Sequence, residues 1–195
     1  MKFYDQLFEQ TEVQRNYLLT APIIEDVVVG RFDIKTYIAF LNQAYHHVRH
    51  TVPLLMAAGA RLSSNQAYLQ LAIIEYIEAE AGHEQWVLDD IETAGFCRAD
   101  FAEALAPYHS EIMVSYLYDT VQRGNPVGIF GMVLVLEGTS AGLASEVGRI
   151  VQQTLKLPDT AMSYLTSHGA LDKEHIAGFE TLMNTIHDPM DQAAI

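Results

Sequence analysis

The chain has 195 residues, half of them hydrophobic, with a formal net charge of −14 and one cysteine, Cys97. That length and apolar content exclude a disordered chain and fit one domain, residues 1–195, with a real core. The acidic balance disfavours nucleic acid and anionic membrane surfaces as partners, and the lone Cys97 excludes an internal disulfide and fits the reducing cytoplasm.

In chain order, Phe3, Leu7, Phe8, Val13, Tyr17 and Leu18 fall at helical spacing over residues 3–20. The N-terminus has no apolar core of signal-peptide type. Pro22 opens a short helix through Val28, which Gly30 ends. Asp33 is a good N-cap for a helix running to about Leu62, which Pro53 should kink. Ser63-Ser64-Asn65 separates it from a long helix, about Gln66 to Thr93, capped by Gly95. Residues 99–106 read as a short helix closed by Pro107, and another runs from about Ser110 to Gln122. Gly124-Asn125-Pro126 is a turn. The next helix, Val127 to about Leu155, begins with an apolar run to Leu136 that is too short to span a bilayer. Leu157-Pro158-Asp159 leads into the last helix, about Thr160 to His187. Strand signals are nearly absent. The fold class is therefore all-α, a bundle of about six to eight helices.

The last helix carries the most informative stretch, Ser167 to His175. At about 100° per residue, His168, Asp172 and His175 fall within an arc of roughly 60°. Two imidazoles and a carboxylate on one stripe can reach one metal ion; the plain alternative is a surface face with an Asp–His contact. Glu80 and His83 repeat the idea at i and i+3, in a helix whose other acids, Glu75, Glu78 and Glu84, read as solvated. Glu137 follows an apolar run, where an ionised carboxylate is costly unless paired or metal-bound; a surface glutamate at a helix end is the alternative. Helical bundles build two-metal sites from such residues on facing helices. Glu80, His83, Glu137, His168, Asp172 and His175 thus form one inward-facing candidate metal site, expected to converge within a few ångströms. Glu137, alone on a facing helix, is the expected bridging carboxylate.

His46, His47 and His50 make a further cluster. His46 and His47 are possible ligands, although a histidine bonded to a carbonyl is the commoner case. Tyr76 lies seven residues before His83 and is a candidate pocket or catalytic residue beside Glu137. Cys97 reads as structural, and His109 and His187 as exposed. Arg49 and Lys173 are either anchors for a substrate carboxylate or solvated surface charges. Gly128, Gly131, Gly138 and Gly142 fall in one helix, where close helix approach or room for a ligand should compensate their cost.

With these residues, the chain resembles the haem-oxygenase-like fold of TenA-type thiaminases, the coenzyme PQQ synthase and the haem-oxygenase-like di-iron oxidases, also called iron-containing redox enzymes. The most specific element is His168-x3-Asp172-x2-His175; its distances along the chain from Glu137 and His83 are similar to those in the di-iron oxidases. Gln43-x-Tyr45-His46-His47-Val48 looks like the second-helix motif of the same superfamily. The resemblance implies that His83, Glu137, His168, Asp172 and His175 are metal ligands. Glu80 matches the carboxylate of the alkene-forming fatty-acid decarboxylases; other members place theirs where Tyr76 stands. Some members carry a second-helix glutamate near His46 and His47, which this chain lacks. No cysteine near Glu137 matches the thiaminase nucleophile.

The function implied is a non-haem di-iron oxidase or oxygenase using O2 on a small organic substrate, such as an amino or fatty acid, in a cytoplasmic homodimer. Three carboxylates and three histidines offset most of the charge of two Fe(II) ions, and His, Asp and Glu are ligand types that non-haem iron uses. Two alternatives stand beside it: a metal-free enzyme of the TenA or PQQ synthase type, and a non-catalytic small-molecule-binding member of the fold.

Overall fold

Local chemistry breaks the expected helices more finely than hydrophobic periodicity does. A computed structural model describes the backbone of residues 1–195 and every side chain except those of residues 170–174. The segment 3–20 divides into α1 (Phe3–Gln10) and α2 (Glu12–Leu19) at Thr11, whose hydroxyl donates back to the Leu7 carbonyl at 2.8 Å. Pro22 opens α3 (Pro22–Val28) as expected. Asp33 caps α4 (Ile34–Val48), accepting the Thr36 N–H at 2.9 Å. Pro53 does not kink that helix but ends it. Lacking an N–H, Pro53 is tolerated in the first turn of a new helix, α5 (Thr51–Gly59), and the break falls at Arg49–His50.

The expected helix 66–93 is likewise two, α6 (Ala67–Glu80) and α7 (His83–Thr93), separated by extended Ala81 and by Gly82 at φ 92°. Then follow α8 (Arg98–Ala102), α9 (Tyr108–Arg123), α10 (Ile129–Leu155), α11 (Ser163–Met183) and α12 (Pro189–Ala194). No strand occurs. The stretch Pro126–Leu155 is long and apolar enough to cross a membrane by length and composition, and half of its most apolar window is buried inside the fold.

Two apolar cores fill the bundle. One gathers Leu54, Leu69, Ile73, Phe130 and Phe179, the other Tyr37, Leu41, Val87, Ile91 and Leu165. Among the passes that run from one core to the other, these carry the described candidate donors. Ile73 and Tyr76 belong to the first and Val87 to the second, with Glu80 and His83 between them. Leu134 belongs to the first and Ala144 to the second, with Glu137 between. Leu165 belongs to the second and Phe179 to the first, with His168 and His175 between. The candidate polar residues thus lie where the cores meet.

Two contacts fix α11 against its neighbours. A Cβ at Gly169 would stand 2.8 Å from the Ser145 nitrogen of α10, so the two helices touch here through backbone. Buried Asp90 of α7 accepts the N–H groups of Ser163 and Tyr164, each at 2.9 Å, and so caps α11 from another helix. Of the glycines in and before α10, Gly128 and Gly131 admit the carbonyls of Ala194 and Ile195, where a Cβ would approach to 2.8 and 2.7 Å, whereas Gly142 faces open space.

Asp90→Ala removes both acceptors from the start of α11. The expected loss is roughly 2 kcal/mol, read as a lower midpoint in urea with an unchanged slope. An unaltered midpoint would show that α11 needs no cap from α7.

Candidate metal centre

Glu80 is the last residue of α6 and His83 the first of α7. The pair therefore does not share a helical face, as its spacing had implied; Gly82 turns the chain so that the two side chains meet across a break. His83 Nδ1 lies 3.1 Å from Glu80 Oε2, and both residues are buried. Glu75 and Glu78 are exposed, as expected of solvated acids, and Glu84 is half-buried. Burial opposes ionisation of Glu80, but the hydrogen bond and charge of His83, with the charges of His168 and His175, hold its pKa below the usual carboxylate value.

His168 enters from α11. Its Nδ1 donates to the Tyr164 carbonyl at 2.9 Å, because a carbonyl can only accept. That fixes the proton on Nδ1 and puts the ring's lone pair on Nε2, the atom with which such a tautomer binds a metal. The His168 ring packs 4.8 Å from His83 and 4.5 Å from Tyr164, between ring centroids, and Trp86 stacks on His83 at 4.0 Å. Glu137 of α10 is buried, with Oε2 at 3.5 Å from His175 Nδ1.

These residues form two overlapping groups among the described side chains, Glu80/His83/His168 and Glu80/Glu137/His175. Within each, one ligand atom per residue lies within 4.8 Å of the others. The first is a two-histidine, one-carboxylate set, the donor combination that non-haem Fe(II) takes. The second is carboxylate-rich. The donor chemistry fits iron, and Glu80, rather than Glu137, is the carboxylate common to both groups. Reach explains the difference: at a helix end between the two cores, Glu80 faces both α10 and α11. The side chains of Asp172 and Lys173 lie outside the described residues.

An apolar cavity of about 420 Å3 opens onto Glu80, Glu137 and His168. His47 also lines it, its Nδ1 donating to the Gln43 carbonyl at 3.0 Å, but it stands outside both donor groups. His46 is buried, lines neither this cavity nor the cleft beside His175, and neither of its ring nitrogens has a hydrogen-bond partner. His50 instead pairs with the Tyr118 hydroxyl at 3.2 Å. Tyr76 is buried, its ring edge-on to His175 at 5.6 Å. Arg49 is exposed over the Tyr45 ring, and Cys97 is exposed ahead of α8. Two residues that shape the site escape sequence reasoning. Trp86 lies one turn after His83. Asp90, the buried member of the Asp89-Asp90 pair, could have been found because it shares a helical face with Val87 and Ile91.

A sequence model of the iron-containing redox enzymes matches residues 38–195. The chain belongs to that family. Its members are enzymes by description, and the Glu and His donors gathered in this one are of the kind iron uses. No curated protein matches the sequence. The fold is shared with a domain of unknown function from Shewanella denitrificans OS217, described as having a heme oxygenase-like fold. That structure superposes with a TM-score of 0.84 at 23% identity, over 97% of this chain and 82% of the other. A TenA homologue from Pyrococcus furiosus gives a TM-score of 0.70 at 13% identity, over 98% of this chain and 90% of that one. The all-α, haem-oxygenase-like architecture inferred from sequence is therefore the fold of this family member.

Two outcomes follow from this geometry. A methyl group at Gly82 would meet nothing within 4 Å, so Gly82→Ala tests the backbone alone. Holding alanine at this positive φ costs roughly 1–2 kcal/mol, expected as a thermal midpoint lower by about 2–8 °C; an unshifted melt would show that another residue can make the break. The second concerns pH. Burial lowers the pKa of His46, assisted by the charges of Arg49 and His50. Burial also lowers that of His47, against the hydrogen bond to Gln43 and with the charge of His168. Below pH 6.5 the unfolded chain takes up protons at these histidines before the folded chain does. Their contribution to stability is present above pH 6.5 and is lost as pH falls through it. His46→Leu should flatten the loss of stability between pH 7.5 and 5.5, and an identical pH profile would mean that His46 titrates alike in the folded and unfolded chain.

Proposed function

We propose that the chain is a non-haem di-iron oxidase or oxygenase that uses dioxygen on a small organic substrate with an apolar body, of the fatty-acid or amino-acid class. The observation that carries this reading is Glu80, common to two donor groups and facing an apolar cavity. One iron belongs with Glu80, His83 and His168, the second with Glu80, Glu137 and His175, and the resemblance adds Asp172 to this set. Iron, when bound, supplies the activation of dioxygen. The chain's own residues do the rest. Glu80 and Glu137, both buried, offset cationic charge. Tyr164 holds the His168 proton on Nδ1, and Trp86 fixes the plane of His83. Phe40, Leu55, Met132 and Leu136 exclude water and align the apolar body of the substrate. The metal-free TenA-type alternative has less support, because the lone thiol, Cys97, is exposed and lines neither cavity. An exposed free thiol also accords with a reducing, cytoplasmic setting.

Trp86 is the sole tryptophan in the sequence and stacks on His83. Anaerobic addition of Fe(II) to metal-stripped protein should therefore quench tryptophan emission in step with iron uptake. Wild type should take up two irons per chain and consume oxygen once reduced. Glu80→Ala should lose both irons, whereas Glu137→Ala should keep the His83/His168 half and its quench. A Glu80→Ala protein that binds iron as wild type does would refute the two-iron reading.

A further inference from the structure

The acid–imidazole cluster is approached by two cavities. The apolar one, about 420 Å3, reaches Glu80 and Glu137 between Leu55, Met132, Val133 and Leu136. The other, about 520 Å3, lies between α6 and the end of α11 and reaches His175 past Tyr68, Leu71 and Leu182. One described residue lines both, Tyr76. It is buried in the first core, one turn before Glu80 on α6, and its ring meets His175 edge-on at 5.6 Å. Its buried ring, packed against the imidazole, borders both cavities. Beyond it the second cavity is bordered by exposed residues, Leu71 and Thr181 among them, and so communicates with solvent.

We propose that Tyr76 is the partition that ends the apolar chamber, and that it thereby sets the longest apolar chain the site accepts. This rests on the apolar-substrate part of the proposed function. The ring carries the role rather than the hydroxyl. Tyr76→Phe keeps the partition, while Tyr76→Ala joins the two cavities into one passage running from the α10 side of the cluster to the α11 end.

The test uses a series of straight-chain 1-alkanols as probes, with binding to the purified protein followed by calorimetry. In wild type and in Tyr76→Phe, affinity should rise about fourfold per added methylene until the chamber is full, and then level off. In Tyr76→Ala the rise should continue, so that the first alcohol beyond the wild-type limit gains about fourfold over its binding to wild type. Tyr76→Leu, which preserves an apolar residue in the core, should shift the limit in the same direction and stands in if the alanine variant does not fold. The same limit in wild type, Tyr76→Ala and Tyr76→Leu overturns the partition while leaving the apolar chamber in place. Absence of alcohol binding to wild type at every length overturns the chamber itself, and with it both the partition and the apolar-substrate reading. Iron uptake by the variants, followed through Trp86, separates either result from damage to the metal centre.

Discussion

Carboxylates that leave water need partners, and the structure is arranged around that need. An ionised acid placed in an apolar interior without a counter-charge costs several kcal/mol. Glu80 and Glu137 are both buried, and each faces an imidazole, His83 in one case and His175 in the other. The fold accommodates them at the seam between its two cores. There, several passes of the chain can each contribute polar atoms without interrupting either apolar cluster.

The break between α6 and α7 gives this seam its reach. On an unbroken helix Glu80 and His83 would project from one face toward one neighbour. With the helix ended at Glu80 and restarted at His83, the carboxylate meets both α10 and α11, while the imidazole stacks on Trp86 of its own helix. The cap that Asp90 supplies to α11 acts on the same geometry from the other side. It ties α7, which begins with His83, to the helix that carries His168 and His175. That cap helps to hold His83 in register with His168 and His175.

Much of this is written in the sequence at the level of type and much less at the level of placement. Helical periodicity and the proline and glycine punctuation define an all-α bundle, because those signals act over a few residues. The polar residues at His83, Glu137, His168 and His175 stand out because their neighbours are apolar. The break at Gly82 is harder to read: Glu80-Ala81-Gly82-His83 is compatible with a helix until the positive φ of Gly82 is seen. Isolation in the sequence made Glu137 the expected bridging carboxylate, whereas among the described side chains Glu80, at a helix end facing two neighbours, is the one common to both donor groups. Pro53 illustrates the same limit, since a missing N–H can bend a helix or begin one, and packing decides which. Asp90 was hidden by Asp89, because adjacent acids look alike until one is placed on the buried face.

The contact between Gly169 and Ser145 has a consequence for how such a sequence can diverge. A ligand position has chemical latitude, since histidine, aspartate and glutamate all donate to iron, and an exchange among them alters the metal site without moving a helix. Position 169 has no such latitude. Any side chain there meets the backbone nitrogen of Ser145, and relief comes only by sliding α11 away from α10. That movement would carry His168, its immediate neighbour, away from the helix that bears Glu137. The residue with no donor atom is therefore under a tighter steric restriction than the donors beside it. Across related chains, drift should be expected among the ligands before it appears at this glycine.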